Sequence, residues 1–144
     1  MYSPKHEETI GIIFPVLEGH VQRFFSERKR VFVKFFGREG KPARLRPGSK
    51  LFIYQSGGKM EIVGEARIEE IMMRTSDEVF ADYGDELFLS KQELEDYVGS
   101  RRTKKMLVLL LGDMRRLSTP LKLTKSVTMG GQYMTRSMYL ALRE

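Results

Sequence analysis

Cysteine is absent from the 144 residues, and histidine occurs only at His6 and His20. Without cysteine the chain can form no disulfide and offers no thiolate ligand to a metal ion. Two histidines without a ligand-like spacing predict no metal site, and we expect no cofactor. The N-terminal sequence lacks the basic and apolar regions of a secretory signal, so we expect a cytoplasmic location.

Long apolar stretches and familiar catalytic motifs are also missing. The longest apolar run covers residues 106–111, whereas a helix that crosses a bilayer needs roughly 20 such residues. The sequence contains no P-loop, no dinucleotide-binding glycine pattern, no H-E-x-x-H motif and no nucleophile elbow. It therefore predicts no membrane partner, and no motif in it predicts a catalytic residue.

The composition is that of a globular chain, with 41% hydrophobic and 31% charged residues. A chain of this length is long enough to bury one core and short for two. We therefore expect a single domain over residues 1–144.

Charges of opposite sign are segregated along the chain. Residues 22–50 carry ten Lys or Arg against two acidic residues, and residues 101–125 carry eight against one. Residues 51–100 between them carry four against twelve. These blocks can neutralise one another in the fold, or the basic blocks can build a face that binds a polyanion. The sequence leaves both arrangements open.

Apolar periodicity predicts an α+β fold of short elements. Residues 10–14 alternate as a strand that Pro15 ends, and residues 17–25 have helical spacing. Capping boxes that begin at Thr75 and Ser90 predict two more helices. Further strands are predicted at residues 30–36, 51–54, 61–72 and 106–111, with Pro120 in a loop and residues 137–142 as strand or helix.

The order of several segments resembles the PUA-like β-barrel superfamily, whose ASCH, EVE and YTH branches handle RNA or modified bases. Within it, nearly the whole chain resembles a small archaeal-type family of unknown function (DUF365-like). The resemblance implies a small mixed or antiparallel β-barrel with two or three short helices. The segments that carry it are residues 10–15, 24–34, 46–50, 54–56, 63–66 and 130–133.

Some ASCH proteins are amidohydrolases that act on modified pyrimidine nucleosides. The resemblance extends to a strand motif that follows the first helix of ASCH domains. Lys29 takes the place of the motif's lysine, Lys34 takes the place of its arginine, and Phe32 stands where its second acidic residue is expected. That chemistry needs a carboxylate that moves protons near a lysine, and a phenylalanine cannot supply one. The resemblance therefore implies the fold more strongly than the catalysis.

Basic residues interleaved with aromatic residues and glycines predict contacts with nucleic-acid phosphates. A solvated edge strand or a helix end would explain the same charges without a ligand. The predicted nucleic-acid-binding residues are Lys29, Lys34, Arg38, Lys41, Arg44, Arg46, Arg101, Arg102, Lys125 and Arg136.

A tyrosine at a strand end, beside amide and hydroxyl donors, can hold a flat heterocycle, and a glycine turn permits close backbone approach. The resemblance implies a pocket between the barrel and the first helix. A buried tyrosine and an ordinary hairpin turn are the alternative. The predicted base-pocket residues are Phe36, Tyr54, Gln55, Ser56, Gly131, Gln132 and Tyr133.

These features together predict an RNA-binding domain with a basic face and a pocket for a flipped or modified base, with DNA as the other nucleic acid considered. Two different functions stay open. One is a hydrolase of a modified nucleoside, with Lys29 or Lys34 and Glu65 as general acid and base. The other is a protein-interaction module that docks through the acidic residues 61–96. The oligomeric state stays open as well.

Overall fold

The computed structural model describes residues 8–37 and 41–143, which contain six strands and four α-helices. A 3-10 turn, Gly84–Glu86, follows the second helix. In chain order the elements are β1 (Thr9–Leu17), α1 (Glu18–Phe25), β2 (Val31–Lys34), β3 (Lys50–Ser56), β4 (Glu61–Arg74), α2 (Ser76–Tyr83), α3 (Lys91–Val98), β5 (Met106–Lys122), β6 (Gln132–Thr135) and α4 (Arg136–Leu142).

The strands form one mixed sheet in the order β2-β5-β4-β3-β1-β6. β1 and β3 are parallel, and every other neighbouring pair is antiparallel. Parallel neighbours need a long crossover, and here the chain passes through α1 and β2 between them. The predicted α+β class with a small mixed sheet is confirmed.

The sheet curls so strongly that its first and fifth strands meet. Three strands separate β2 from β1 in the sheet order, which would place them roughly 19 Å apart if the sheet were flat. The rings of Phe14 on β1 and Phe32 on β2 nevertheless stack with their centroids 5.4 Å apart. The architecture is therefore barrel-like, with a seam between β1 and β2.

Alternation along the strands divides the buried residues into two clusters on opposite faces of the sheet. On β3, Leu51 and Ile53 belong to the first core, which α1, α2 and α3 cover. Phe52 and Tyr54 point the other way, into a second core that α4 covers. Successive strand side chains point to opposite faces, so the two sets cannot mix.

Two strands run further than the sequence predicted, and both pass through a proline. β1 continues past Pro15 because its pairing with β6 stops at Ile13. Pro15 therefore has β3 as its single neighbouring strand, and its missing N–H is tolerated. The prediction that Pro120 lies in a loop was wrong, since β5 continues to Lys122. Residues 117–120 have no partner in β4, and this bulge accommodates Pro120.

The predicted helix signals are present in the structure. The side chains of Thr75 and Ser90 each accept a hydrogen bond from the backbone N–H three residues on. In return, the backbone N–H of each donates to the carboxylate of Glu78 or Glu93, which completes a capping box. α3 ends at Gly99, whose φ is +55°. None of the helices in the described residues combines the length and apolar character that a membrane span requires.

We predict that Gly64→Ala lowers the free energy of unfolding by about 1–3 kcal/mol, the usual cost of overpacking a core. A Cβ built on Gly64 overlaps the ring of Phe25, which lies over β4 at its bulge. Urea denaturation of both proteins measures the difference.

The matched control is Gly58→Ala, because a Cβ at Gly58 in the β3–β4 turn meets no atom within 4 Å. We expect this control to change the free energy of unfolding by less than about 0.5 kcal/mol. Equal destabilisation of the two variants would contradict the packing of Phe25 on Gly64.

Candidate functional site

A pocket of about 370 Å³ opens at the seam where β1 and β2 approach each other, and we call it the seam pocket. Residues 15–17 of β1 and residues 32–34 of β2 form its two strand walls. α1 contributes His20, α3 contributes Glu93, Asp96 and Tyr97, and Met129 reaches in from the loop before β6. The pocket therefore lies between the barrel and its first helix.

Aromatic rings form one side of the seam pocket. Phe32 and Phe88 stack with centroids 5.2 Å apart, and Phe24 stacks behind Phe88 at 5.1 Å. The imidazole of His20 meets Phe88 edge-on at 6.0 Å. Stacked rings give a rigid flat wall, which is the shape that a planar heterocycle packs against.

Lys34 is the unusual residue of the seam pocket, because only 7% of it is exposed. Its Nζ lies 5.6 Å from the centroid of the Phe14 ring, and no hydrogen bond or ion pair reaches it from the residues that the structure describes. Burial lowers the pKa of its ammonium below the usual 10.5. A cation without an acceptor in a desolvated site is destabilising, and perturbed groups of this kind concentrate at functional sites.

Glu93, one of the two carboxylates that line the seam pocket, is already occupied by other partners. Arg23 on α1 donates to both oxygens of Glu93, and Nε2 of His20 lies 3.2 Å from its Oε2. The hydrogen bond from Arg23, followed by that from the backbone N–H of Ser90, lowers the pKa of Glu93 to about 2. Glu93 thus ties α3 to α1, orients His20 and leaves Lys34 unneutralised.

Cations stacked on aromatic rings line the surface beside the seam pocket. The guanidinium of Arg101 lies 4.0 Å from the ring centroid of Phe35, and Lys104 lies 5.3 Å from the same ring. The hydroxyl of Tyr97, a pocket residue, accepts a hydrogen bond from the backbone N–H of Phe35. This rim can meet phosphates next to whatever occupies the pocket.

The charge blocks of the sequence neutralise one another in part. Among the described residues, four ion pairs join a cation of a basic block to a carboxylate of the acidic block: Arg23 with Glu93, Arg30 with Glu86, Lys50 with Glu65, and Arg102 with Asp77. The first arrangement that the sequence left open therefore occurs in part, while other cations remain exposed.

The structure separates the predicted phosphate-binding residues into distinct groups. Arg102 pairs with Asp77, Arg136 pairs with Glu8, and Lys29 donates to the backbone carbonyl of Asp85. Lys34 is buried in the seam pocket, and Arg101 lies on its rim. Lys41, Arg44 and Arg46 are exposed on the loop before β3, Lys125 lines a different cleft, and Arg38 lies outside the described residues.

The predicted base-pocket residues are divided between the faces of the sheet. Phe36 packs edge-on against Phe14 at 5.9 Å, and a Cβ on Gly131 would overlap the Phe14 ring, so both lie near the seam. Tyr54 is buried in the second core, and Gln132 lines the cleft on that face. The other three are Gln55 at the end of β3, Ser56, whose hydroxyl donates to the carbonyl of Val16, and Tyr133, which lies beneath the guanidinium of Arg44.

The sequence analysis missed three residues of the seam pocket: His20, Phe88 and Glu93. Local spacing marks Glu93 only as the reciprocal residue of a capping box. Its bonds to α1 span about 70 positions of the chain, and no local pattern reports such a contact. Phe88 carries no signal beyond its hydrophobicity.

We predict that Lys34→Met raises the free energy of unfolding at pH 7, because it removes a desolvated charge and keeps the side-chain volume. The wild-type protein should gain stability as the pH rises towards 10.5, since the unfolded chain then binds a proton that folded Lys34 has lost. The variant should lack this gain. Urea denaturation across that pH range measures both quantities.

The exposed Lys91→Met provides the matched control, and its pH dependence should follow that of the wild-type protein. If the free energy of unfolding rises equally with pH in Lys34→Met and in the wild-type protein, the inference that Lys34 is desolvated is wrong.

Comparison with solved structures establishes the fold. The ASCH protein of Zymomonas mobilis matches with a TM-score of 0.76 and 20% identity, over 93% of this chain and 94% of that chain. A single-residue mutant of the same protein matches with a TM-score of 0.78 and 19% identity, over 95% of this chain and 96% of that chain. The N-terminal domain of McrB from Staphylothermus marinus matches with a TM-score of 0.49 and 13% identity, over 79% of this chain and 77% of that chain. This similarity is too low to support a conclusion about the fold.

The likeness to the ASCH structures confirms the PUA-like fold that the sequence predicted. No curated protein matches the sequence. A family model covers residues 9–136 of the 144, and the protein therefore belongs to the family described as Domain of unknown function (DUF365).

Proposed function

We propose that this protein binds RNA and holds one base, out of its stack, in the seam pocket. The observation that carries the proposal is the buried Lys34, which has an aromatic wall beside it and no acceptor among the described residues. An extruded uracil, cytosine or guanine presents a carbonyl oxygen at its edge and a flat face for stacking, so such a base matches both features.

The size of the seam pocket suits a single base. Its volume of about 370 Å³ lies at the lower end of the range for small-molecule sites. The ring of Phe32 supplies a face for stacking, and Lys34 supplies a donor for a carbonyl oxygen. Asp96 and His20 also line the pocket, and we assign to them the exocyclic groups of the base. One oxygen of Asp96 already accepts a hydrogen bond from Gln92.

The phosphates on either side of the base are assigned to the exposed cations. Arg101 and Lys104 lie on the rim, and Arg44 is held over the ring of Tyr133 at 4.9 Å. Lys41 and Arg46 flank Arg44 on an exposed loop. Contacts of this kind provide affinity and salt dependence, and they carry little sequence information.

We predict that Lys34→Met weakens the binding of single-stranded RNA at least tenfold without changing the salt slope, because it removes a base contact and no phosphate contact. Arg44→Ala should instead reduce the slope of log K against log salt by about 0.7, the value for one phosphate of a single strand. Fluorescence anisotropy with labelled RNA and DNA of the same sequence, over a salt series, measures both effects.

Lys91→Ala serves as the control, since it removes one exposed charge beside Phe80, away from the seam. The base assignment fails if Lys34→Met binds RNA as tightly as the wild-type protein. Equal affinity for RNA and DNA would be consistent with base binding in the seam pocket, but it would contradict the proposal that RNA is the preferred ligand.

A second candidate is hydrolysis of an acylated pyrimidine nucleoside in the same pocket. The lowered pKa of Lys34 favours it, because an unprotonated amine can accept a proton during catalysis. Glu65 lines the cleft of the second face, so it does not share a site with Lys34, whereas Glu93 does. The test is an assay with an N-acylated cytidine. Hydrolysis by the wild-type protein that is lost in Lys34→Met would establish this activity, and no hydrolysis by the wild-type protein would exclude it.

A further inference from the structure

A second and larger cleft lies on the opposite face of the sheet from the seam pocket. It has a volume of about 1300 Å³ and extends between the later part of β5 and α4, so we call it the α4 cleft. Tyr139 and Met138 of α4 form part of its wall, and Lys50 and Glu65 lie in the strands beneath. The second core, not the first, forms its base.

The rim of the α4 cleft is strongly basic. Arg115, Lys122, Lys125 and Arg143 are all exposed and line the cleft. No carboxylate in the described part of the chain forms an ion pair with any of the four, in contrast to the paired Arg102 and Arg136. Two carboxylates also line the cleft, since Glu61 and Glu65 lie opposite Lys122 and Arg115 in the register of β4 and β5. Four exposed cations outnumber them around this concave surface and attract a phosphate group.

The floor of the α4 cleft contains a carboxylate with one oxygen that has no hydrogen-bond partner among the described residues. Glu65 is only 6% exposed, and its Oε1 accepts a hydrogen bond of 2.9 Å from Nζ of Lys50. Its Oε2 is buried and receives no hydrogen bond from the described residues. A buried acceptor left unsatisfied is destabilising, so a ligand that donates an N–H or O–H here would be bound favourably.

Tyr139 lies between these two features of the cleft. Its ring centroid is 5.7 Å from Nζ of Lys50 and 5.4 Å from the guanidinium of Arg143. The same ring thus neighbours a cation of the floor and a cation of the rim. It offers an aromatic surface beside the unsatisfied carboxylate oxygen.

We propose that the α4 cleft binds a ribonucleotide, with its phosphate on the basic rim and a hydroxyl or amino donor on Oε2 of Glu65. Among ligands that carry both a phosphate and such donors, a ribonucleotide also has a flat ring that can pack on Tyr139. The site goes beyond the seam pocket, shares no lining residue with it, and does not depend on the function proposed there.

Titration of the protein with GMP, AMP, CMP and inorganic phosphate, followed by two-dimensional NMR of the backbone amides, tests the proposal. We expect nucleotides to shift the amides of β5 and α4, and to bind more tightly than inorganic phosphate. Arg115→Ala and Lys125→Ala should each weaken the nucleotide about tenfold, as expected for one charged hydrogen bond. Lys91→Ala should leave this affinity unchanged.

Glu65→Gln separates the two halves of the site, because it keeps the shape of the side chain and makes one terminal atom a donor. We expect this variant to lose the preference for nucleotide over inorganic phosphate while its phosphate affinity stays the same or rises. Thermal unfolding of each variant shows whether the Lys50 contact still supports the fold.

The source of the ligand is distinguished by repeating the titration with a short single-stranded RNA. Shifts in β5 and α4 with free nucleotides support a free nucleotide, and shifts only with RNA support a nucleotide within a strand. Absence of cleft shifts with every probe at low salt overturns the proposal. Equal affinities of the wild-type protein, Arg115→Ala and Lys125→Ala would overturn it as well.

Discussion

The packing of Phe14 against Phe32 is the contact on which the remaining architecture depends. It joins β1 to β2 across a sheet order that separates them by three strands, with ring centroids 5.4 Å apart. This closure encloses the first core, and it also creates the seam in which the smaller pocket lies. Lys34 is buried because its strand is one side of that seam. Core packing and site formation therefore have the same physical origin.

The distribution of carboxylates determines what the seam pocket can do. Arg23 takes both oxygens of Glu93, and this bidentate pair is the favourable geometry for a guanidinium. Among the residues that the structure describes, Lys34 on β2 has the face of Phe14 as its cation–π partner and no carboxylate. A buried ammonium in this state lowers the stability of the empty protein, and the arrangement makes physical sense where a ligand supplies the missing acceptor.

The two faces of one sheet give the protein two chemically different concavities. Side-chain alternation sends Phe32 and its neighbours towards a small aromatic pocket and sends Lys50 and Glu65 towards a wide basic cleft. Within the described residues, Lys34 of the pocket has no acceptor, and Oε2 of Glu65 in the cleft has no donor. Each concavity is therefore complementary to a different edge or group of a nucleotide.

The sequence by itself determined the elements that local chemistry controls. Capping boxes set the starts of α2 and α3, and alternation set most strands. Only the tertiary structure decided that β5 passes through Pro120, that Tyr54 and Gln132 face away from the seam, and that Glu93 belongs to a site with His20. The physical reason is that strand pairing, sheet closure and ion-pair choice join positions far apart in the chain, and local periodicity carries no information about them.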